Sequence, residues 1–213
     1  VPSVATCSRC GRFCCAACLT PSYVCNDCTT RLAAELPALE GRGNLARYGL
    51  FATAACHALM LVFAAGQLAT GQTGDDSDGA FAILSGLAAL AYIPTYITTI
   101  VLVCRWFHLA TRHALARGAQ LGVTPGGAVG TWFIPFVNLV KPFQLVRQML
   151  ATTERDQSQV SVWQALWVMG NLVANASVRL PDAGGAGVGL LSDALLFAAA
   201  LVCARVIASL KFS

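Results

Sequence analysis

Charge is what this 213-residue chain has least of: Asp, Glu, Lys and Arg make up 11% of it, against roughly 25% in ordinary soluble domains. Apolar residues reach 56% and mean hydropathy is +0.64. A chain of this length can bury a core, but not this much apolar sequence without lipid. Carboxylates number ten, with no pair at a spacing suited to acid–base work and no nucleophile–base pair in an apolar run. No enzyme is therefore expected. The 14 basic residues are scattered and net charge is only +4, which argues against nucleic acid as a partner. Histidines number three, and only His57 falls mid-way along an apolar run, so a bis-histidine haem site has no second ligand. His108 and His113 are expected on a solvated face.

Lys and Arg are missing altogether between Arg47 and Arg105. That interval holds two apolar runs, 48–69 and 80–104, separated by a polar loop containing Asp75, Asp76 and Asp78. Each run reaches the ~20 residues needed to cross a bilayer. Two more spans are expected at 160–178 and 188–210. Residues 118–155 are harder, because Pro125 and Pro135 leave an apolar stretch too short for a span. Its flanks carry Arg112 and Arg117 on one side and Lys141, Arg147 and Arg155 on the other, so both ends prefer the cytoplasm. We read 118–155 as a re-entrant or interfacial broken helix. The fold class is then an all-α membrane protein with four transmembrane helices, both termini cytoplasmic, and a small N-terminal module. The division is 1–30 for the module, 31–47 for a linker and 48–213 for the membrane domain. After Pro142, Leu139, Phe143, Val146 and Leu150 recur at helical spacing, a stripe that suits either an interfacial helix with its basic residues toward anionic headgroups or a core-packed one.

Cysteine is abundant where charge is not. Cys7/Cys10, Cys15/Cys18 and Cys25/Cys28 form three Cys-x-x-Cys pairs, with Cys14 beside them. Such a pair places two thiolates on one zinc with little strain, and a cytoplasmic setting disfavours disulfides. All six paired cysteines are candidate ligands for structural zinc, whose binding would supply folding energy that so short a module lacks. Cys14 could substitute as a ligand in a shifted register. The spacing of the pairs resembles the later part of a B-box-type cross-braced zinc finger. That resemblance implies one zinc on Cys7, Cys10, Cys25 and Cys28, with Cys15 and Cys18 serving a second zinc. The second site's other pair would precede Cys7, and residues 1–6 contain neither Cys nor His.

Polar residues inside the apolar runs are the remaining candidates. His57 is expected to hydrogen-bond a neighbouring helix, although an ionisable group at membrane depth always raises a functional question. Asn171, Asn175 and Arg179 share one helical face, and Asp193 could meet Arg179 across the short Gly-rich loop after Pro181. Asn138 could satisfy backbone groups freed by the proline breaks.

The segment Trp106-Phe107-His108, then Pro125-Gly126, Trp132-Phe133-Ile134-Pro135, Asn138-Leu139 and Lys141-Pro142-Phe143-Gln144 resembles the bacterial DUF4328 membrane family. The likeness covers about residues 80–210. Trp163 and Trp167 stand where that family usually has adjacent tryptophans. The resemblance implies a multi-span protein of the bacterial cytoplasmic membrane and supplies no activity. Two functional expectations follow. One is a non-enzymatic scaffold or accessory subunit whose zinc module and helices contact other protein subunits or further copies of itself. The other is an oligomeric small-solute or ion transporter using the broken segment Pro125–Pro142.

Overall fold

The computed structural model describes residues 4–20, 23–70, 79–153, 155–179 and 182–211. The acidic loop at Asp75, Asp76 and Asp78, and Pro181 of the Gly-rich loop, lie outside them. The chain is mostly helical. A two-stranded hairpin comes first, β1 (Val4–Thr6) pairing antiparallel with β2 (Phe13–Cys15) in the register Val4↔Cys15, Ala5↔Cys14, Thr6↔Phe13. A 3-10 turn at Ala16–Cys18 follows. The helices are α1 (Asn26–Ala34), α2 (Leu39–Thr70), α3 (Gly79–Ala116), α4 (Pro125–Gly130), α5 (Lys141–Ala151), α6 (Ser158–Ser177) and α7 (Asp182–Ser209). The segment 31–47, read from sequence as a linker, is largely helical, since α1 ends and α2 begins within it.

Among the described residues, three helices are long and apolar enough to cross a membrane: Leu39–Gly66, Ile83–Ala116 and Gly187–Ser209. They match three of the four expected spans. The fourth, at 160–178, forms α6 with 20 residues, but Gln159, Gln164, Asn171 and Asn175 interrupt its apolar surface and it is not among the three. α3 runs unbroken through Pro94. Thr95 Oγ1 donates to the Ala91 carbonyl at 2.9 Å and Thr99 Oγ1 to that of Thr95 at 2.8 Å. The proline costs one backbone donor, and neighbouring hydroxyls take part in the ladder around it.

The residues fall into two compact units. The first combines 1–42, 104–157 and 210–213. Its core is aromatic: Phe107 and Phe143 are fully buried and Trp106 nearly so. The Trp132 ring lies 5.9 Å from that of Phe107 and 6.0 Å from that of Phe143. α5 lays Phe143, Val146, Met149 and Leu150 into this core, while Lys141, Gln144 and Gln148 face out. Its apolar stripe is thus core packing, which decides between the two roles that the periodicity allowed. His113 is also buried, not solvated as expected, because the bend between α1 and α2 covers it: Nε2 stands 3.0 Å from the Pro37 carbonyl.

In this unit the turn after α3 meets the cysteine module. Gly118 has φ +86°, and a Cβ there would stand 2.5 Å from Thr20 Cβ. Only glycine tolerates both the left-handed backbone and the close approach. The second unit, 43–103 and 158–209, uses small residues in a similar way. A Cβ on Gly170 of α6 would meet Leu196 of α7 at 2.8 Å, and Ser192 Oγ donates to the Gly170 carbonyl at 3.2 Å. Gly49 of α2 packs against Thr99 and Leu102 of α3, with Thr53 and Thr99 hydroxyls 3.0 Å apart. Small residues with cross-helix hydroxyls are how apolar helices associate when no hydrophobic gradient drives them together.

Candidate metal centre and polar pair

The metal centre is assembled by two tight turns. In the first, the Cys7 amide donates to the Arg12 carbonyl at 2.8 Å and the Gly11 amide to the Cys7 carbonyl at 3.0 Å. Gly11 takes φ +72° there, a conformation that glycine adopts without cost. This turn brings Cys7 and Cys10 to one side. In the second, the Tyr23 amide donates to the Thr20 carbonyl and the Thr20 amide to the Val24 carbonyl, both at 2.9 Å. That turn delivers Cys25 to the start of α1, and Cys28 follows in the helix's first turn. The two arms are tied by the Cys25 amide donating to Cys7 Sγ at 3.3 Å and by the exposed Arg12–Asp27 ion pair at 2.7 Å.

The sulfurs of Cys7, Cys10, Cys25 and Cys28 all lie within 4.8 Å of one another. Cys7, Cys25 and Cys28 are buried, with Leu19 and Val24 packed against them. Backbone amides, first that of Cys10 and then those of Cys25 and Arg9, pull the Cys7 thiol down to about 6. Cys28 is pushed up to about 12, chiefly through its side-chain hydrogen bond with Cys25 and then through burial. Cys7 is thus prepared to be a thiolate, while Cys28 in the same cluster resists a second negative charge. A cation at the centre relieves that conflict. Four soft donors converging on one point can hold a metal ion.

Cys15 and Cys18 do not join the cluster. Their sulfurs touch each other, 2.6 Å apart, at the end of β2 and in the 3-10 turn after it. Cys14 packs against the cluster from outside, its thiol directed to the Arg12 carbonyl at 3.7 Å. Burial raises its pKa above the ordinary thiol value. The shifted register in which Cys14 serves as a ligand is not the one adopted.

The second polar feature lies in the other unit. His57 Nδ1 on α2 stands 2.9 Å from Asp193 Oδ1 on α7, with side-chain exposures of 7% and 26%. Tyr92 of α3 sets its ring edge-to-face with His57 at 5.2 Å between centroids, and Tyr96 stacks on Tyr92 at 5.5 Å. All three candidate spans therefore converge on one polar spot. His57 bonds a neighbouring helix, and its partner is Asp193, the residue that the sequence suggests could meet Arg179. Arg179 is exposed beyond the end of α6. Asn171 and Asn175 share a face, yet each donates its amide to its own helix, to the Trp167 and Asn171 carbonyls at 2.8 Å. Asn138 lies in the other unit, in a 3-10 turn, half-buried. One signal pointed to the pair. Across the four expected spans His57 is the sole histidine and Asp193 the sole acid, and opposite ionisable types at apolar depth must find each other.

The family model for the domain of unknown function DUF4328 matches residues 68–211. The chain belongs to the DUF4328 family. The match takes in α3 to α7, including both proline breaks, Asp193 and the aromatic core of the first unit, while the cysteine module and His57 precede it. The DUF4328 region therefore supplies one half of the polar pair and none of the metal centre. No curated protein and no solved structure matches the chain.

Proposed function

We propose that this protein is a non-enzymatic integral-membrane scaffold or accessory subunit, whose zinc-stabilised N-terminal module docks a protein partner. The reading places four spans in a bacterial cytoplasmic membrane, α6 being the fourth, with both termini cytoplasmic. The observation that carries it is the closed four-sulfur centre. Zinc–sulfur bonds of ~2.3 Å set tetrahedral sulfurs about 3.8 Å apart, and Cys10 and Cys25 sulfurs stand at 3.8 Å. With four protein ligands, no position remains for substrate or activated water, so the ion is structural. Around it the module exposes two large aromatic side chains, Phe13 at 75% and Tyr23 at 62%. Exposed aromatics on a rigid platform suit protein contact.

Two measurements test this. Metal analysis of the reduced full chain should find stoichiometric zinc, and a metal-free result rejects the zinc centre. Co-purification from native membranes should recover partners with the unaltered chain and lose them with Phe13→Ser/Tyr23→Ser. Identical partner sets, with zinc retained in both, reject docking through the module.

A second reading, an oligomeric transporter of a small solute or ion, draws on the His57–Asp193 pair among the candidate spans. Ionisable groups at that depth mark pathways in many membrane proteins. Flux through reconstituted proteoliposomes, abolished by Asp193→Asn, would select this reading over the first.

A further inference from the structure

The cysteine module holds one pair of thiols that the four-sulfur centre does not use. Cys15 closes β2, and Cys18 ends the 3-10 turn that follows it. A 3-10 helix has three residues per turn, so side chains at i and i+3 eclipse each other. The run Cys15-Ala16-Ala17-Cys18 therefore sets two sulfurs on one side of a single turn, and they stand 2.6 Å apart. Cys18 is exposed and Cys15 half-buried, so small molecules can reach the pair.

Metal geometry does not describe these two sulfurs. Sulfurs sharing a tetrahedral zinc stand about 3.8 Å apart, the separation seen between Cys10 and Cys25. Among the described residues, Cys7, Cys10, Cys25 and Cys28 are the one group of three or more donors close enough to share an ion. Cys15 and Cys18 are outside that group. A disulfide bond measures about 2.0 Å, so closing one from 2.6 Å takes only a small side-chain movement. Cys15 is also pulled below the ordinary thiol value, first through its hydrogen bond with Cys18, and the thiolate is the form that attacks. Cys14 packs against the four-sulfur cluster instead.

We propose that Cys15 and Cys18 form a reversible redox couple, oxidised to an internal disulfide by exchange with a low-molecular-weight disulfide. Cys15, as thiolate, attacks one sulfur of the small disulfide. The bond between its two sulfurs breaks, a mixed disulfide forms and one small thiolate leaves. Cys18 gives up its proton and attacks Cys15 Sγ, expelling the second small thiolate. The two cysteines lose two electrons, the small disulfide gains them, and the cysteines' two protons end on the released thiols. Excess small thiol drives the same steps backward. Such a couple suits a reducing compartment, where disulfides are transient and sensing rather than structural. It requires no docking partner and leaves the four-sulfur centre intact.

The test equilibrates the reduced full chain in detergent with glutathione disulfide, then caps free thiols with iodoacetamide. Reduction and N-ethylmaleimide then mark the cysteines that had been oxidised, and peptide fragmentation in a mass spectrometer locates the label. It should fall on Cys15 and Cys18, and disappear when reduced glutathione is added back before capping. The oxidised chain should carry no glutathione, whereas Cys18→Ser should retain one on Cys15, because nothing resolves the mixed disulfide. Label on neither residue overturns the couple, as does label on Cys14 in place of either. Label spread equally over the seven cysteines of the module overturns the pair as a distinct site. Thiols that resist glutathione disulfide, together with a lowered zinc content in Cys15→Ser/Cys18→Ser, would make the pair a metal site and overturn the proposal.

Discussion

Cys7 and Cys15 both open a Cys-x-x-Cys pair, yet their surroundings differ. Cys7 is 1% exposed, accepts the Cys25 amide and stands among three other sulfurs. The Cys15 thiol stands against that of Cys18, apart from the four-sulfur cluster. Replacing Cys28 with Ser should therefore abolish metal uptake at the four-sulfur centre and unfold the module, while Cys15→Ser leaves that centre loaded. Elemental analysis of each purified variant, normalised to protein, checks the contrast. Equal metal loss in both would place Cys15 among the ligands of that site. Gly118 is a second single-residue test. Alanine there must hold φ near +86° and displace Thr20, so Gly118→Ala should destabilise by about 1–3 kcal/mol, the usual cost of overpacking, read as a lowered thermal unfolding midpoint in detergent. An unchanged midpoint would mean that Thr20 yields freely. Neither Gly118 nor its contact was legible in the sequence, because a glycine in a turn looks the same whether or not another segment crosses it. Spacing marked three equivalent cysteine pairs and could not separate Cys15 and Cys18 from the rest; the grouping of Cys7, Cys10, Cys25 and Cys28 is the one that the resemblance to a cross-braced zinc finger implies.

Elements read from local pattern stood up better than contacts between them. The apolar runs became α2, α3 and α7 because the length needed to cross a bilayer is a property of contiguous sequence. The stripe on α5 was equally visible, but a stripe does not say whether lipid or protein covers it, and the rings of Phe107 and Trp132 that settle this lie 36 and 11 residues before Phe143 in the chain. The hairpin of β1 and β2 was missed, since its strands have three residues each and show no alternation to detect. The union of α2 and α7 through His57 and Asp193, 136 residues apart, could be suspected only by elimination. It predicts a specific coupling. His57→Leu leaves a carboxylate unpaired among apolar helices, which should cost about 3–5 kcal/mol. Adding Asp193→Leu removes that charge and should restore most of the loss. A double-mutant cycle on unfolding in detergent measures this, and additive effects would show that the two side chains do not interact.

At the scale of the whole molecule, different forces hold different parts, and metal removal should separate them. The module has two three-residue strands and one short helix over a cluster made largely of cysteines. Such a core offers little to offset the entropy of ordering its chain, and under the proposed function zinc on the four sulfurs would supply the difference, since structural zinc in peptides of similar size contributes about 10–16 kcal/mol. The long helices need no ion. α2, α3 and α7 bond their own backbones internally, and their outer faces suit hydrocarbon: Ile83, Leu84, Leu87, Leu90, Ile93 and Ile97 of α3 are all exposed. Stripping zinc with a strong chelator in detergent should therefore abolish protease resistance between Cys7 and Glu35 while leaving most of the far-ultraviolet helical signal. Restoring zinc should restore the resistance. Cys28→Ser should reproduce the chelated state without chelator, and its helical signal should match that of the chelated wild type. Collapse of the helical signal along with the module would instead show that the metal centre supports the long helices, and would move the ion from a local clamp to a determinant of the entire fold.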